Sequence, residues 1–406
     1  MQTFDWIAIG GGITGAAVSY ELSKKGFSVL LLEQYATPQN ATRYSYGGLA
    51  YWSGTTELTR QLCSEGIERH RILSQELEGD TQFRELDQVL TIDAQDDPEQ
   101  VAAAYGQFAI APTLLSVAEA CKMEPLLNPQ AIAGALTLRH GHIQPEMTAL
   151  AYSQAGIRAG AEMQIDRVVG FLGENQRIIG VTTPTATYYS ENVVVCAGGL
   201  SRMLLRNAGI NVRVYFTQAE TIETPPVDLQ LSTCVMPAQL KRFQLEADAG
   251  DNDALWNSPG YEIVPPILDP GAFQFQDGSI RMGQISRAIA DPDAKVDPSR
   301  SEADIRAQVA KLLPTVGNLP GTWHHCLVAF SHNRLPIVGK IPGIEGIYLF
   351  SGFTNPLVFV PPLAQRFANW ISGENDPIID QLSPVLFHQN EKASSSIGSV
   401  NRGGFI

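Results

Sequence analysis

The sequence predicts an α/β fold with two lobes: a Rossmann-like lobe around a parallel sheet, and a second lobe built on an antiparallel sheet. Three observations carry this. A strand, a glycine turn and a helix open the chain at 7–17. The β-branched run Val193-Val194-Val195 stops at a second glycine turn, Ala197-Gly198-Gly199. Residues 212–290 then break into strand-like pieces separated by proline and glycine, with a hairpin signal at Asp277-Gly278. At 406 residues the chain is too long for one small core, so two lobes are the natural expectation.

The opening segment is the most specific. Ile7-Ala8-Ile9 runs into Gly10-Gly11-Gly12-Ile13-Thr14-Gly15, and a second apolar strand, Val29–Leu32, ends at Glu33. Gly10 permits a tight turn, and Gly12 lets backbone amides approach a pyrophosphate. Gly15 lets the helix pack closely, with its positive end towards the phosphates. Glu33, 18 residues beyond Gly15, is where a carboxylate accepts hydrogen bonds from ribose hydroxyls. A dinucleotide is expected at residue 10; the alternative is a glycine-rich turn in another α/β protein.

Composition narrows the rest. A formal net charge of −14, with no Lys/Arg-rich run, argues against nucleic acid and against an anionic membrane surface. No apolar run approaches the length needed to span a bilayer. The first strand begins by about Phe4, which leaves no room for a signal peptide, so a cytoplasmic protein is expected. Five scattered cysteines (Cys63, Cys121, Cys196, Cys234, Cys326) without a CxxC pair argue against structural zinc and against a disulfide framework.

Along the chain, residues 36–55 read as a polar, aromatic loop beside a ligand, and 56–79 as a helix with Leu58, Leu62, Ile67 and Leu73 on one face. A strand at Val89–Ile92, an amphipathic stretch at 97–108 and a helix near 148–161 follow. Strands are expected at Val168–Leu172, Ile178–Thr182 and Tyr188–Cys196, then helices at Leu200–Leu205 and 301–313. The strand Gly346–Phe350 leads to a third glycine turn at Ser351-Gly352 and a helix at about Pro361–Ser372. Beyond Pro384 the Ser-, Asn- and Gly-rich tail is expected to be poorly ordered.

Three separated segments carry a resemblance: Gly10–Glu33; His140-Gly141-His142-Ile143-Gln144-Pro145 through to Val195-Cys196-Ala197-Gly198-Gly199; and Arg334-Leu335-Pro336-Ile337-Val338-Gly339 through to Gly352 and Pro361-Pro362. Together they resemble the FAD-dependent oxidoreductases of the D-amino-acid oxidase, glycine oxidase and sarcosine oxidase group. The resemblance implies a discontinuous FAD-binding lobe at 1–85, 141–212 and 322–380, a substrate lobe at 86–140 and 213–321 roofing the flavin, and a flexible tail at 384–406. It implies FAD contacts from Gly10, Gly12, Ile13, Thr14, Gly15, Glu33, Gln34, Arg43, Val168, Ala197, Gly198, Gly339, Gly352, Phe353 and Thr354. Cys326 falls where sarcosine oxidases carry a flavin thioether; the alternative is a buried, inert thiol. Arg281 resembles a lysine held over the flavin, where a positive charge aids reaction with oxygen. Tyr46, Tyr261, Gln274 and His332 are further candidates for the substrate face.

One departure limits the substrate. The family's amino-acid oxidases grip a carboxylate with basic residues, but the corresponding positions here read Val328 and Phe353-Thr354-Asn355-Pro356. The expectation is hydride transfer from the C–N carbon of an amine or amino-acid-like substrate, not an ordinary small α-amino acid, with oxygen or another acceptor reoxidising the flavin. Arg43, Arg281 and His332 are the candidate catalytic residues. Two alternatives keep FAD: a 2-hydroxy-acid dehydrogenase with His332 as base, or a flavin-binding protein without turnover.

Overall fold

The computed structural model describes residues 3–258 and 260–384; the expected tail from 385 onward lies outside them. In chain order its strands are β1 (Thr3–Ile9), β2 (Val29–Glu33), β3 (Gly48–Leu49), β4 (Arg84–Asp93), β5 (Thr113–Leu115) and β6 (Ile132–His142). Then come β7 (Glu162–Ile165), β8 (Gly170–Glu174), β9 (Arg177–Thr182), β10 (Thr187–Val195), β11 (Val214–Glu223) and β12 (Cys234–Pro237). The last five are β13 (Glu262–Gln274), β14 (Ile280–Ile289), β15 (Thr322–Ser331), β16 (Ile337–Lys340) and β17 (Ile347–Ser351).

They form two sheets. The first runs β16-β17-β10-β1-β2-β7, with β9 and β8 added beside β10; β17, β10, β1, β2 and β7 are parallel. Its central strands are buried on both faces, which is why Val29–Leu32 and Val193–Val195 are unbroken apolar runs. One face packs against the helices Ile13–Lys24, Glu57–Glu76, Pro145–Arg158 and Pro356–Ile371. Leu204, Leu205, Ile210 and Val212 cover the other. Glycine at 15 is obligatory, because a Cβ there would lie 1.9 Å from the Gly10 carbonyl oxygen.

The helix Pro356–Ile371 begins five residues before the expected Pro361 and runs through both prolines. Pro361 offers no N–H to the Leu357 carbonyl, so one helical bond is lost. Nε2 of buried His70 meets that oxygen at 2.6 Å, and burial keeps the imidazole neutral by holding its pKa at about 4. A tertiary contact thus replaces the missing helical bond.

The second sheet runs β15-β11-β14-β13-β12-β4-β6-β3, with β5 on β6, and is antiparallel except for the β12–β4 pair. Asp277-Gly278 turns the β13–β14 hairpin, which pairs Phe273 with Arg281 and Gln274 with Ile280. On one face Ile222, Ile280, Met282 and Ile285 pack against Ile305 and Val309 of the helix Pro298–Leu312. The opposite, inner face meets the segment 40–48.

Several expectations change. The loop at 36–55 contains a helical turn, Ala41–Tyr44, capped by Asn40 Oδ1 accepting from the Thr42 and Arg43 N–H groups, and the strand β3. Val168 precedes its strand, which starts at Gly170. The eleven-residue β6 and the helix Lys241–Gly250 had no clear sequence signal. β3 and β15, expected in the FAD-binding lobe, join the second sheet. Among the described residues no helix is long and apolar enough to cross a membrane.

Candidate active site

The carboxyl ends of β1, β2, β10 and β17 bring Gly10, Glu33, Ala197-Gly198 and Gly352 to one edge of the parallel sheet, where such sheets bind ligands. Gly10 has φ +104°, and a Cβ there would meet the Cys196 carbonyl oxygen at 2.8 Å. The helix Ile13–Lys24 starts at Gly12 with no side-chain cap and no acidic residue in its first turn. Its positive end is thus left for an external anion. Thr42 Oγ1 accepts from the Ile13 N–H at 3.1 Å, and Thr14 Oγ1 donates to the Cys196 carbonyl at 3.1 Å. Glu33 accepts from the Gly11 N–H at 2.6 Å and the Tyr35 N–H at 3.0 Å, and each oxygen keeps a lone pair for a further donor. With the Ile13 amide held by Thr42, the helix start beyond it and a carboxylate that can take hydroxyl donors fit a dinucleotide such as FAD.

The other residues named from the resemblance are more scattered. Gln34 directly follows Glu33, and Val168 lies between β7 and β8, half-buried against the core. Gly339 is on β16. The side chains of Ile13 and Phe353 are in the core, so only their backbones can face a ligand. Thr354 Oγ1 donates to the Arg334 carbonyl at 3.1 Å.

On the inner face of the second sheet, Arg43 and Arg281 do converge. Arg43 forms a bidentate pair with Glu223 (2.9 and 3.1 Å), and its Nε lies 3.1 Å from Glu146. Arg281 is 1% exposed. It donates to the Ser45 carbonyl, lies 3.8 Å from Glu223 and stacks over the Phe275 ring. Burial lowers its pKa to about 10, an effect the Glu223 charge opposes. Strand alternation turns it away from the face of Ile280 and Met282, and the side chain is enclosed. His324, absent from the sequence-based candidates, lies 4.0 Å from Glu223 and stacks on Tyr44 at 4.6 Å. Burial lowers its pKa, and the Glu223 charge counters this.

Further along the same face several buried polar atoms have no partner. They are Tyr46 Oη, Arg281 Nε, Thr217 Oγ1 and Asp269 Oδ1. Tyr46 packs on Phe273 at 5.1 Å. Its hydroxyl would lie 3.3 Å from a Cβ at Gly283. Buried polar atoms left bare in one region mark a place where a ligand completes the bonding.

His332 does not join this group. It lies just past the end of β15, its N–H on the Arg213 carbonyl and its backbone against Gly250. That is roughly 25 Å along the strand from His324. Cys326 faces the site but is fully buried, and burial pushes its thiol up to about 12. Two candidates for the substrate face are elsewhere. Tyr261 is 48% exposed, and the Gln274 amide bonds to Gly278 in its hairpin turn and to Leu229 and Leu231 of the segment beside it. Glu223, Glu146 and Asp269 were also missed. Only Asp269 carried a signal, as the one charged residue in Ile267-Leu268-Asp269-Pro270.

Comparison with known proteins agrees with this geometry. The uncharacterized oxidoreductase YurR of Bacillus subtilis is 25% identical over 404 residues, covering 93% of this chain and 97% of that protein. A glycine oxidase of Pseudomonas putida is 23% identical over 92% of this chain and 96% of its own length. The crystal structure of glycine oxidase from Geobacillus kaustophilus superposes with a TM-score of 0.76 at 18% identity, covering 93% of this chain and 96% of that one. Residues 5–370 match the family described as DAO, FAD dependent oxidoreductase. The chain therefore belongs to the DAO family and is an FAD-dependent oxidoreductase.

Proposed function

We propose that this enzyme oxidises the C–N bond of an amine by passing a hydride from the carbon beside nitrogen to FAD. The observation that carries the reading is the buried Arg281 guanidinium on the inner sheet face, below the 40–48 segment. Reduction of FAD creates negative charge, and a fixed, desolvated cation beside it stabilises that charge. The choice of a C–N bond is supported by the relative named for glycine oxidation. A C–OH substrate asks for a base, and the proposed His332 stands apart from Arg43 and Arg281.

FAD, when bound, supplies the hydride acceptor. The chain's own residues hold and orient it. The turn at Gly10, Gly12 and Gly15 and the first amides of the following helix take the pyrophosphate. Glu33 and Gln34 take the adenosine ribose, and the backbone near Val168 meets adenine. Ala197, Gly198, Gly339 and Gly352–Thr354 line the rest. Arg43, held by Glu223 and Glu146, fixes the 40–48 segment against the sheet.

The test is anaerobic addition of primary and secondary amines to the yellow holoenzyme. Bleaching of the flavin band by at least one supports the reading; no bleaching by any overturns it. We also propose that FAD is bound without a covalent link, because a thiol at about 12 supplies little thiolate. Acid precipitation is expected to leave flavin in the supernatant; flavin in the pellet restores the Cys326 thioether.

A further inference from the structure

We propose that Asp269 receives a cationic nitrogen of the substrate, so that the site selects alkylammonium groups over carboxylates. This rests on the amine reading above: the substrate arrives as an ammonium ion held by Asp269 and releases an N–H proton to water before the neutral amine gives up its hydride.

Asp269 lies on β13 between the Leu268–Ile285 and Gly271–Gly283 pairs with β14. Leu268 and Ile285 pack on the outer face, so the alternation turns Asp269 to the inner face, beside Gly271 and Phe273. It is 6% exposed. Seven carboxylates among the described residues are this buried. Glu33 and Glu124 accept from backbone amides; Glu21, Glu220, Glu246 and Asp376 are each bonded to an arginine. Asp269 alone has neither, and its Oδ1 is without a partner. A buried carboxylate without donors is costly, and burial raises its pKa to about 6, against the charges of Lys241 and Arg242. It is still ionised at neutral pH.

What suits such a group is a cation with N–H donors. Tyr46, whose hydroxyl is also buried without a partner, and Phe273 add aromatic surface on the same face. An anion is less well served. Glu246 binds Arg242 at 2.9 Å, Glu223 faces both Arg43 and Arg281, and Val328 and residues 353–356 contribute no cation.

The test uses two isosteric ions that cannot be oxidised, tert-butylammonium and pivalate, titrated into the holoenzyme by calorimetry. At pH 8 the cation is expected to bind about tenfold tighter or better, and Asp269→Asn to weaken it about ten- to a hundredfold while leaving pivalate unchanged. The groups facing Asp269 are Tyr46, Tyr105, Lys241 and Arg242. Burial raises both tyrosines, so they stay protonated in this range and cation binding should fall as pH drops through about 6. Asp269→Glu should keep the preference for the cation. Tighter binding of pivalate by the wild type, or undiminished cation binding by Asp269→Asn, overturns the proposal. If Asp269→Asn fails to fold, the wild-type preference and pH profile decide. Bleaching by amines with Asp269-independent cation binding removes this inference alone. Asp269-dependent cation binding without bleaching removes the amine-oxidation reading instead.

Discussion

The inner face of the antiparallel sheet treats charge differently at its two ends. At one, Glu223, Glu146, Arg43 and Arg281 meet within 3.8 Å, and the strand ends are tied to the 40–48 segment. At the other, the Tyr46 hydroxyl and the Asp269 Oδ1 are buried atoms that no group of the chain bonds. Paired buried charge holds the architecture in place, because removing one partner strands the other. Unpaired buried charge does the opposite: it costs stability until a ligand arrives. The difference separates positioning from recognition on a single surface.

Glu223→Gln attacks the paired end and should have the largest effect. It removes from Arg281, 1% exposed, its nearest carboxylate and leaves only the more distant Glu146, and should lower stability by about 3–5 kcal/mol in urea denaturation at pH 7. A loss below about 1 kcal/mol would mean the paired end is not held by its charges.

Asp269→Asn attacks the bare end and should act in the opposite direction. The carboxyl's pKa rises from 3.8 unfolded to about 6 folded, so the folded state favours the protonated form. The penalty is absent below 3.8, grows as pH rises and is complete above about 6. The variant should therefore be more stable than wild type by about 2–3 kcal/mol at pH 8 and equal to it near pH 3.5. Thermal melts at both pH values check this; a variant less stable at pH 8 would show that an unseen donor already serves Asp269.

Tyr46→Phe sharpens the contrast with the smallest effect. Deleting a hydroxyl that has no partner should change stability by less than about 1 kcal/mol in either direction. A larger loss would place that hydroxyl in a bond the chain itself makes.

The fold was legible where local chemistry leaves one solution. The strand–glycine–helix opening, the Val193–Val195 run and the Asp277-Gly278 hairpin each state their structure in a few residues. β13 was harder to read, because Pro265, Pro266 and Pro270 interrupt its pattern and obscure the facing of Asp269. The cation cluster was half legible. Arg43 and Arg281 were found, but their acceptor Glu223 is 180 residues from Arg43 and carries no motif. His332 stands beside the Arg334–Gly339 motif in the sequence, yet the length of β15 separates it from His324, which no motif marks.

By itself, then, the sequence determined the dinucleotide turn and the parallel strands around it, because a phosphate-binding backbone demands glycine at fixed positions and a doubly covered strand demands an unbroken apolar run. Which charges meet and which are left bare was decided by the tertiary structure alone. That outcome depends on strand register, which sets Glu223 against Arg281 and turns Asp269 towards the same face, and no short segment encodes it.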